Sequence, residues 1–196
     1  MQRLLALLLC AFLLACADEN YLQLPLNSGL TAYLPAGNSQ FVSNLEDTLL
    51  LTKKSDETFY ERQDLNLGGG ALGQTDYVEL EQRRVIYGSD TPFLEIEYLL
   101  NSRYNANTTD QTDDFLSVSF REEATGLILD FAFNDTLQCR SERCSWQDSL
   151  TLRNRTFTRV YFTPRDSMSR QSLYLNQRQG ILGFRTLENK IYETID

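Results

Sequence analysis

With 196 residues, 42% of them hydrophobic and 23% charged, the chain has enough material for one domain that buries most of its surface without metal or a set of disulfide staples. Its formal net charge of −9 disfavours nucleic acid, whose phosphates need a basic footprint. There is no histidine, which removes Ser-His-Asp and Cys-His hydrolases, most zinc and non-haem iron centres, and the usual proton shuttle near neutral pH.

The first residues read as a leader. Arg3 is the only charge before Asp18, and the apolar run Leu4 to Leu14 has the length of the hydrophobic region of a secretory signal. It falls short of the roughly 20 apolar residues that span a bilayer. Two processing routes compete at its end. Leu13-Leu14-Ala15-Cys16 resembles the bacterial lipobox, in which a small residue precedes a cysteine that is acylated and becomes the new amino terminus. Ala15-Cys16-Ala17 instead fits an A-x-A site cut after Ala17, which would release a soluble protein. The expectation is lipidation at Cys16. Residues 1–15 then form the signal peptide, residues 16–39 the lipidated cysteine and an extended tether with partly docked hydrophobics, and residues 40–196 one domain with a sub-boundary at 66–74.

Loss of Arg3 with the leader leaves 17 basic against 27 acidic residues, a net charge of about −10. The basic residues gather late, in residues 140 to 190, where Arg140, Arg143, Arg153, Arg155 and Arg159 are among them. They predict either charge complementarity between two halves of one fold or a face turned toward anionic headgroups or an acidic glycan.

From Phe41 the spacing Phe41, Leu45, Leu49 suits a helix face, whereas Thr48 to Thr52 suits a strand. The run "LGGGALGQ" is a flexible connector: it lacks the Gly-Lys-Ser/Thr of a phosphate loop and leads into a strand. Beyond it the period becomes two. Val78, Leu80 and Ile86 share one parity, and Leu94, Ile96, Tyr98 and Leu100 alternate with Glu95 and Glu97. Leu116, Val118 and Phe120 repeat the pattern, then Leu127, Leu129, Phe131 and Phe133, with "YGSDTP" and "EEATG" as turns. Downstream, "RNR" reads as a hairpin tip that projects Arg153 and Arg155 into solvent, and "NQRQG" and "TLEN" separate the last strands. Strands this regular, joined by short turns, predict a mainly β fold, an antiparallel meander closed as a sandwich or barrel.

Chemistry is sparse. Cys139 and Cys144 are expected to form a disulfide that closes a small loop. The acidic pairs Asp56-Glu57, Asp113-Asp114 and Glu122-Glu123 are not evidence of a glycosidase, which needs two carboxylates opposed across a cleft. Asp110, Asp113 and Asp114 offer oxygens for calcium but lack the glycine and distal glutamate of an EF-hand loop. No catalytic residue, metal or cofactor is expected. Tyr87, Tyr161, Tyr174 and Tyr192 sit out of step with some hydrophobic neighbours; aligned on adjacent strands they would form a sugar- or peptide-binding face, to which Trp146 and Arg159 are added as candidates.

The stretch "DSLTLRNRTFTRVYFTP…SLYLNQRQGILGFRT…KIYETID" resembles the C-terminal end of uncharacterised exported lipoproteins of Gram-negative bacteria. The resemblance implies an all-β, cell-envelope protein and no assigned activity. In lipoprotein sorting of the enterobacterial type, aspartate after the lipidated cysteine retains a protein in the inner membrane; Ala17 at that position implies the outer membrane. Lipocalins share the general architecture, but their N-terminal Gly-x-Trp is missing, since Trp146 is the single tryptophan. The sequence thus predicts a lipid-anchored binding or interaction module with a protein or glycan partner, and as runner-up a lipocalin-like or half-barrel carrier of apolar ligands.

Overall fold

The structure, a computed structural model, describes residues 21–64, 77–105, 110–111, 114–164 and 170–195. Cys16 and the sub-boundary expected at 66–74 lie outside them. The strands are β1 (Tyr21–Leu24), β2 (Ser39–Ser43), β3 (Thr48–Asp64), β4 (Tyr77–Asp90), β5 (Phe93–Asn101), the short β6 (Tyr104–Asn105) and β7 (Asp110–Gln111), β8 (Asp114–Glu122), β9 (Thr125–Asn134), β10 (Thr136–Cys139), β11 (Ser145–Leu152), β12 (Arg155–Phe162), β13 (Ser172–Asn176), β14 (Gly180–Arg185) and β15 (Ile191–Thr194). Apart from β1 and the β6–β7 pair, they form one antiparallel sheet ordered β10-β9-β8-β5-β4-β3-β2-β15-β14-β13-β12-β11. This is the expected mainly β fold, and of the two closures it is the barrel-like one.

Two meanders make up the wall, one from β4 to β10 and one from β11 to β15. The β2–β3 hairpin joins them, because β2 pairs with β15 and β3 with β4. The two ends of the sheet, β10 and β11, have no ladder between them, and the Cys139–Cys144 disulfide links them through a connection only a few residues long.

The alternation of β5, β8 and β9 carries the interior. Leu94, Ile96, Tyr98 and Leu100 face inward opposite Phe120, Val118 and Leu116, which pair in turn with Leu127, Leu129 and Phe131. The opposite walls touch. Phe184 on β14 lies 5.0 Å from Phe120 on β8, 5.2 Å from Phe41 on β2 and 5.1 Å from Tyr192 on β15. This aromatic stack fills the space between the walls, as the close packing of protein interiors requires.

The stretch read as an extended tether up to residue 39 is built into the domain from Tyr21 onward. β1 pairs in parallel with the first half of β4, and a 3₁₀ turn, Leu30–Tyr33, places Leu30 and Tyr33 in the main core. The Tyr33 ring meets Phe133 edge-on at 6.2 Å. Aperiodic apolar residues close the barrel because an open end would otherwise expose the inward-facing rings to water. Residues 41–52, ambiguous by spacing, are strand: Phe41, Leu49 and Leu51 are buried, while Leu45 lies exposed in the turn.

β4 changes role along its length. Val85 and Tyr87 point into the barrel, whereas Val78 and Leu80, on the other face, form a separate small core with Leu24 and Tyr104. Val78, Leu80 and Ile86 do share one face of β4, but it is the face turned away from the barrel interior: β4 leaves the wall and continues as an arm with β1 and β3. The expectation for the β11–β12 tip is corrected. It folds back over the outside of β14, β15 and β2, so that Leu152 packs beside Gly183 in a second small core with Phe157, Val160, Tyr174 and Leu182. Arg153 donates to the Val42 carbonyl at 3.3 Å and Arg155 to the Thr194 carbonyl at 2.6 Å. Both arginines expected in solvent are docked on backbone.

Candidate interaction surface

The residues expected to share one ligand face are dispersed. Tyr87 is buried in the barrel and donates its hydroxyl to the Pro35 carbonyl at 2.9 Å. Tyr192 is buried against Phe184, and Tyr174 belongs to the outer small core beside Phe162. Tyr161 is partly buried, edge-on to Phe131 at 5.3 Å. Trp146 is 59% exposed on β11, cross-strand from Tyr161, and Arg159 is exposed at a positive φ of 51°. Trp146 and Tyr161 are brought together; the six do not form a face.

The acidic pairs hold the fold. Asp56 accepts both Arg83 hydrogen bonds at 2.9 Å and one from Lys53 at 2.9 Å, which pull its carboxyl down to about 2. Asp114 is buried and accepts the Asn27 N–H at 2.6 Å. Glu122 reaches across the lower end of the barrel, accepting from the Leu187 N–H at 2.7 Å and the Gln171 amide at 3.1 Å. Of the calcium candidates, Asp113 and the side chain of Asp110 lie outside the described residues.

Among the described residues the centre of the barrel is filled by the aromatic stack. A void of about 10 Å³ lies among Phe41, Leu51, Tyr87, Ile96, Tyr98 and Ile181. Larger hollows lie at one end of the barrel and along the arm. A groove of about 460 Å³ at the lower end runs between the β8–β9 turn and the disulfide loop; Leu127 and Ile128 supply apolar floor, and Glu142, Arg143, Arg170 and Gln171 supply polar walls. A second cationic locus lies on the outer face of β8, where the Arg103 and Arg140 guanidinium groups stand 3.5 and 4.0 Å from the Phe115 ring centre. Burial, and then the neighbouring charge of Arg140, push the Arg103 guanidinium below its ordinary value.

The arm is the third outer feature. Beyond Lys53 the strand β3 is exposed along nearly all its length, and Tyr21, Leu22, Phe59 and Tyr60 are 56%, 50%, 40% and 51% exposed. Tyr21 stacks on Tyr77 at 5.4 Å, and Arg62 lies over the Tyr77 ring at 3.6 Å. Sequence reading missed this surface because charged and aromatic residues alternate there without a buried parity. Among the described residues no helix is long and apolar enough to cross a membrane. No known protein family, curated protein or solved structure matches the chain.

Proposed function

We propose that the protein is an outer-membrane lipoprotein acylated at Cys16, whose barrel is a non-catalytic binding or interaction module that engages a protein or glycan partner through its outer surface. The leader supports the anchor: a short apolar run with one basic residue, ending in Leu-Ala-Cys. One acyl chain holds a protein only marginally and two or more hold it stably, so a triacylated Cys16 would keep the domain within a tether's length of the membrane.

The observation that carries the binding mode is the Phe120–Phe184 contact across the barrel at 5.0 Å. A carrier of apolar ligands needs a mostly apolar pocket of roughly 300–1,000 Å³; the aromatic stack fills the centre of the barrel, and the hollow of about 460 Å³ at its end is walled by Glu142, Arg143, Arg170 and Gln171. The lipocalin-like alternative would require that stack to part. Binding outside has material to work with: the lower groove with Arg143 and Arg170, and the Arg103–Phe115–Arg140 stack, give an acidic chain two cationic loci.

Two measurements test the proposal. Labelling with a fatty-acid analogue is expected for the wild-type chain and lost in Cys16→Ala; labelling that survives the substitution overturns the anchor. Titration with a long-chain fluorescent fatty acid is expected to show no saturable one-to-one site, and a stoichiometric site competed by unlabelled fatty acid would overturn external binding in favour of a carrier.

A further inference from the structure

One row of outward-facing side chains crosses four strands. Phe59 on β3 stands opposite Gln82 on β4, Gln82 opposite Asn101 on β5, and Asn101 opposite Phe115 on β8, so all four share the outer face of the sheet. Beside this row a hollow of about 420 Å³ opens where the arm leaves the barrel, a volume within the range of small-molecule sites, roughly 300–1,000 Å³. Its lining is the planar polar groups of Glu61, Gln63, Gln82, Asn101 and Arg103, with Leu80 and Tyr104 as the apolar part.

Hydrogen-bonding capacity in the hollow is left over. Gln82 is buried and donates its side-chain N–H to the Glu61 carboxylate, which fixes both. The side-chain amides of Gln63 and Asn101 are half-buried and, among the described residues, bond to no other group. Each carries two donors and an acceptor. Arg103 lies 3.5 Å from the Phe115 ring centre, and Arg140 lies 4.0 Å from the same centre. Among the described residues no carboxylate stands within ion-pair distance of either guanidinium. Stacking occupies the face of Arg103 and leaves its N–H fork for a partner in the plane.

We propose that this hollow is a saccharide subsite for a uronate, a sugar with one carboxylate: Arg103 takes the carboxylate in a two-pronged contact, Gln63 and Asn101 exchange hydrogen bonds with hydroxyls, and Glu61 accepts from a hydroxyl. The inference rests on the reading of the outer surface as the binding surface, and it names a ligand class there. The lining discriminates among alternatives. An uncharged sugar leaves Arg103 without a counter-charge, whereas a phosphate dianion sets extra negative charge beside Glu61, and like charges repel. One carboxylate matches one guanidinium fork. A peptide docks by strand addition or in apolar pockets and grooves, and this lining is mostly polar. Neighbouring strands lie about 4.8 Å apart, close to the length of one pyranose ring. A sugar chain lying across β4 and β5 therefore meets the Glu61–Gln82 pair and Asn101 with successive rings, and the exposed Phe59 continues the row.

Amide NMR titrations on the purified full chain test the site. The probes are β-1,4-linked glucuronyl-glucose and galacturonyl-glucose, with cellobiose and lactose as their uncharged counterparts and acetyl-glutamate amide as a carboxylate without hydroxyls. Saturable binding of at least one uronyl disaccharide is expected, roughly tenfold tighter than its counterpart and than the glutamate derivative. Arg103→Gln is expected to weaken it about tenfold and Asn101→Ala several-fold, while Arg143→Gln in the lower groove leaves it unchanged; the same spectra report that each variant is folded. No saturable response to either uronyl sugar, an equal response to the uncharged sugars or to the glutamate derivative, or affinity that survives both Arg103→Gln and Asn101→Ala would each overturn the inference. Uronate binding lost in Arg143→Gln and kept in the other two variants would overturn this hollow and leave external glycan binding standing; a stoichiometric fatty-acid site would remove that reading itself.

Discussion

The Tyr161 hydroxyl on β12 donates to the Leu137 carbonyl on β10 at 2.8 Å, across the gap where the barrel wall has no backbone ladder. Near the same seam the Tyr33 phenol, edge-on to Phe133, has its pKa pushed up to about 12, mainly by burial. Side chains therefore do at the seam what main-chain pairs do elsewhere in the ring. Tyr161→Phe keeps the edge-on contact with Phe131 and removes the donor. A loss of about 1 kcal/mol in urea unfolding is expected, the net value of a typical hydrogen bond. An unchanged midpoint would show that the seam is held by packing alone.

The disulfide is the covalent part of the same closure. Cys139 and Cys144 stand 5.4 Å apart at Cα and join the two end strands of the sheet. On the chain-entropy account a loop this small constrains the unfolded chain by roughly 2 kcal/mol. The double variant Cys139→Ser/Cys144→Ser is expected to lose about that much in denaturant unfolding, with cleavage by protease at low dose appearing first in the β10–β11 connection. Fragments arising elsewhere would place the weakest point outside the seam.

Much of this wall was legible from side-chain parity. Leu94 to Leu100, Leu116 to Phe120 and Leu127 to Phe133 alternate because one face of each strand is wet and the other dry, and their connectors are turn-sized. Parity failed where a strand changes company. Val78 and Leu80 are buried on one face of β4, Val85 and Tyr87 on the other. Tyr87 therefore reads as out of step with Ile86 although it is core. The plug was hidden for another reason: Leu30 and Tyr33 lie in a single 3₁₀ turn, too short to show a period. Arg153 and Arg155 bond carbonyls of β2 and β15, and a distant backbone acceptor leaves no trace in local sequence.

Gly183 shows how the fold-back of the β11–β12 tip is accommodated. A Cβ at this position would run into the Tyr192 carbonyl oxygen and approach the Leu152 side chain at 3.3 Å. The obstacle is backbone of the neighbouring strand, which cannot rotate away. Gly183→Ala is expected to destabilise by about 1–3 kcal/mol, the usual range for overpacking, and to lower the thermal midpoint. An equally stable variant would mean that β14 and β15 can separate at this point without cost.

Asp56 governs the acid limb of stability on the arm. Its carboxyl lies at about 2 in the folded protein, below the ordinary 3.8, chiefly through the Arg83 fork and then Lys53. The folded state releases this proton more readily than the unfolded chain, so the stabilisation is present above the unfolded value and is lost as pH falls from about 4 toward 2. Solvent screening holds it to about 1 kcal/mol at most. Asp56→Asn should remove that part of the pH dependence, and acid titrations of stability that superimpose for the two proteins would refute the assignment.

Glu193 titrates in the opposite sense, and its position explains why. The side chain lies on the outer face of β15 beneath the docked hairpin tip, 5% exposed, with Arg155 3.9 Å from one oxygen and the other oxygen without a hydrogen-bond partner. Burial raises its pKa above the ordinary carboxyl value, against the smaller opposing pull of Arg155 and Arg153. A raised folded-state pKa means that the folded protein holds the proton more tightly than the unfolded chain. The resulting stabilisation is fully present below the unfolded value and is lost as pH rises through the folded one. At neutral pH the ionised, incompletely solvated carboxylate is a net cost, of the kind measured at about 1–3 kcal/mol for unsatisfied buried groups. Glu193→Gln preserves the shape and removes the charge, while Arg155 keeps its bond to the Thr194 carbonyl. Unfolding at pH 7 and pH 4 should therefore show the variant more stable than wild type by about 1 kcal/mol at the higher pH, with the gap closing at the lower. A variant less stable at pH 7 would show instead that the arginines of the tip need this carboxylate to remain docked.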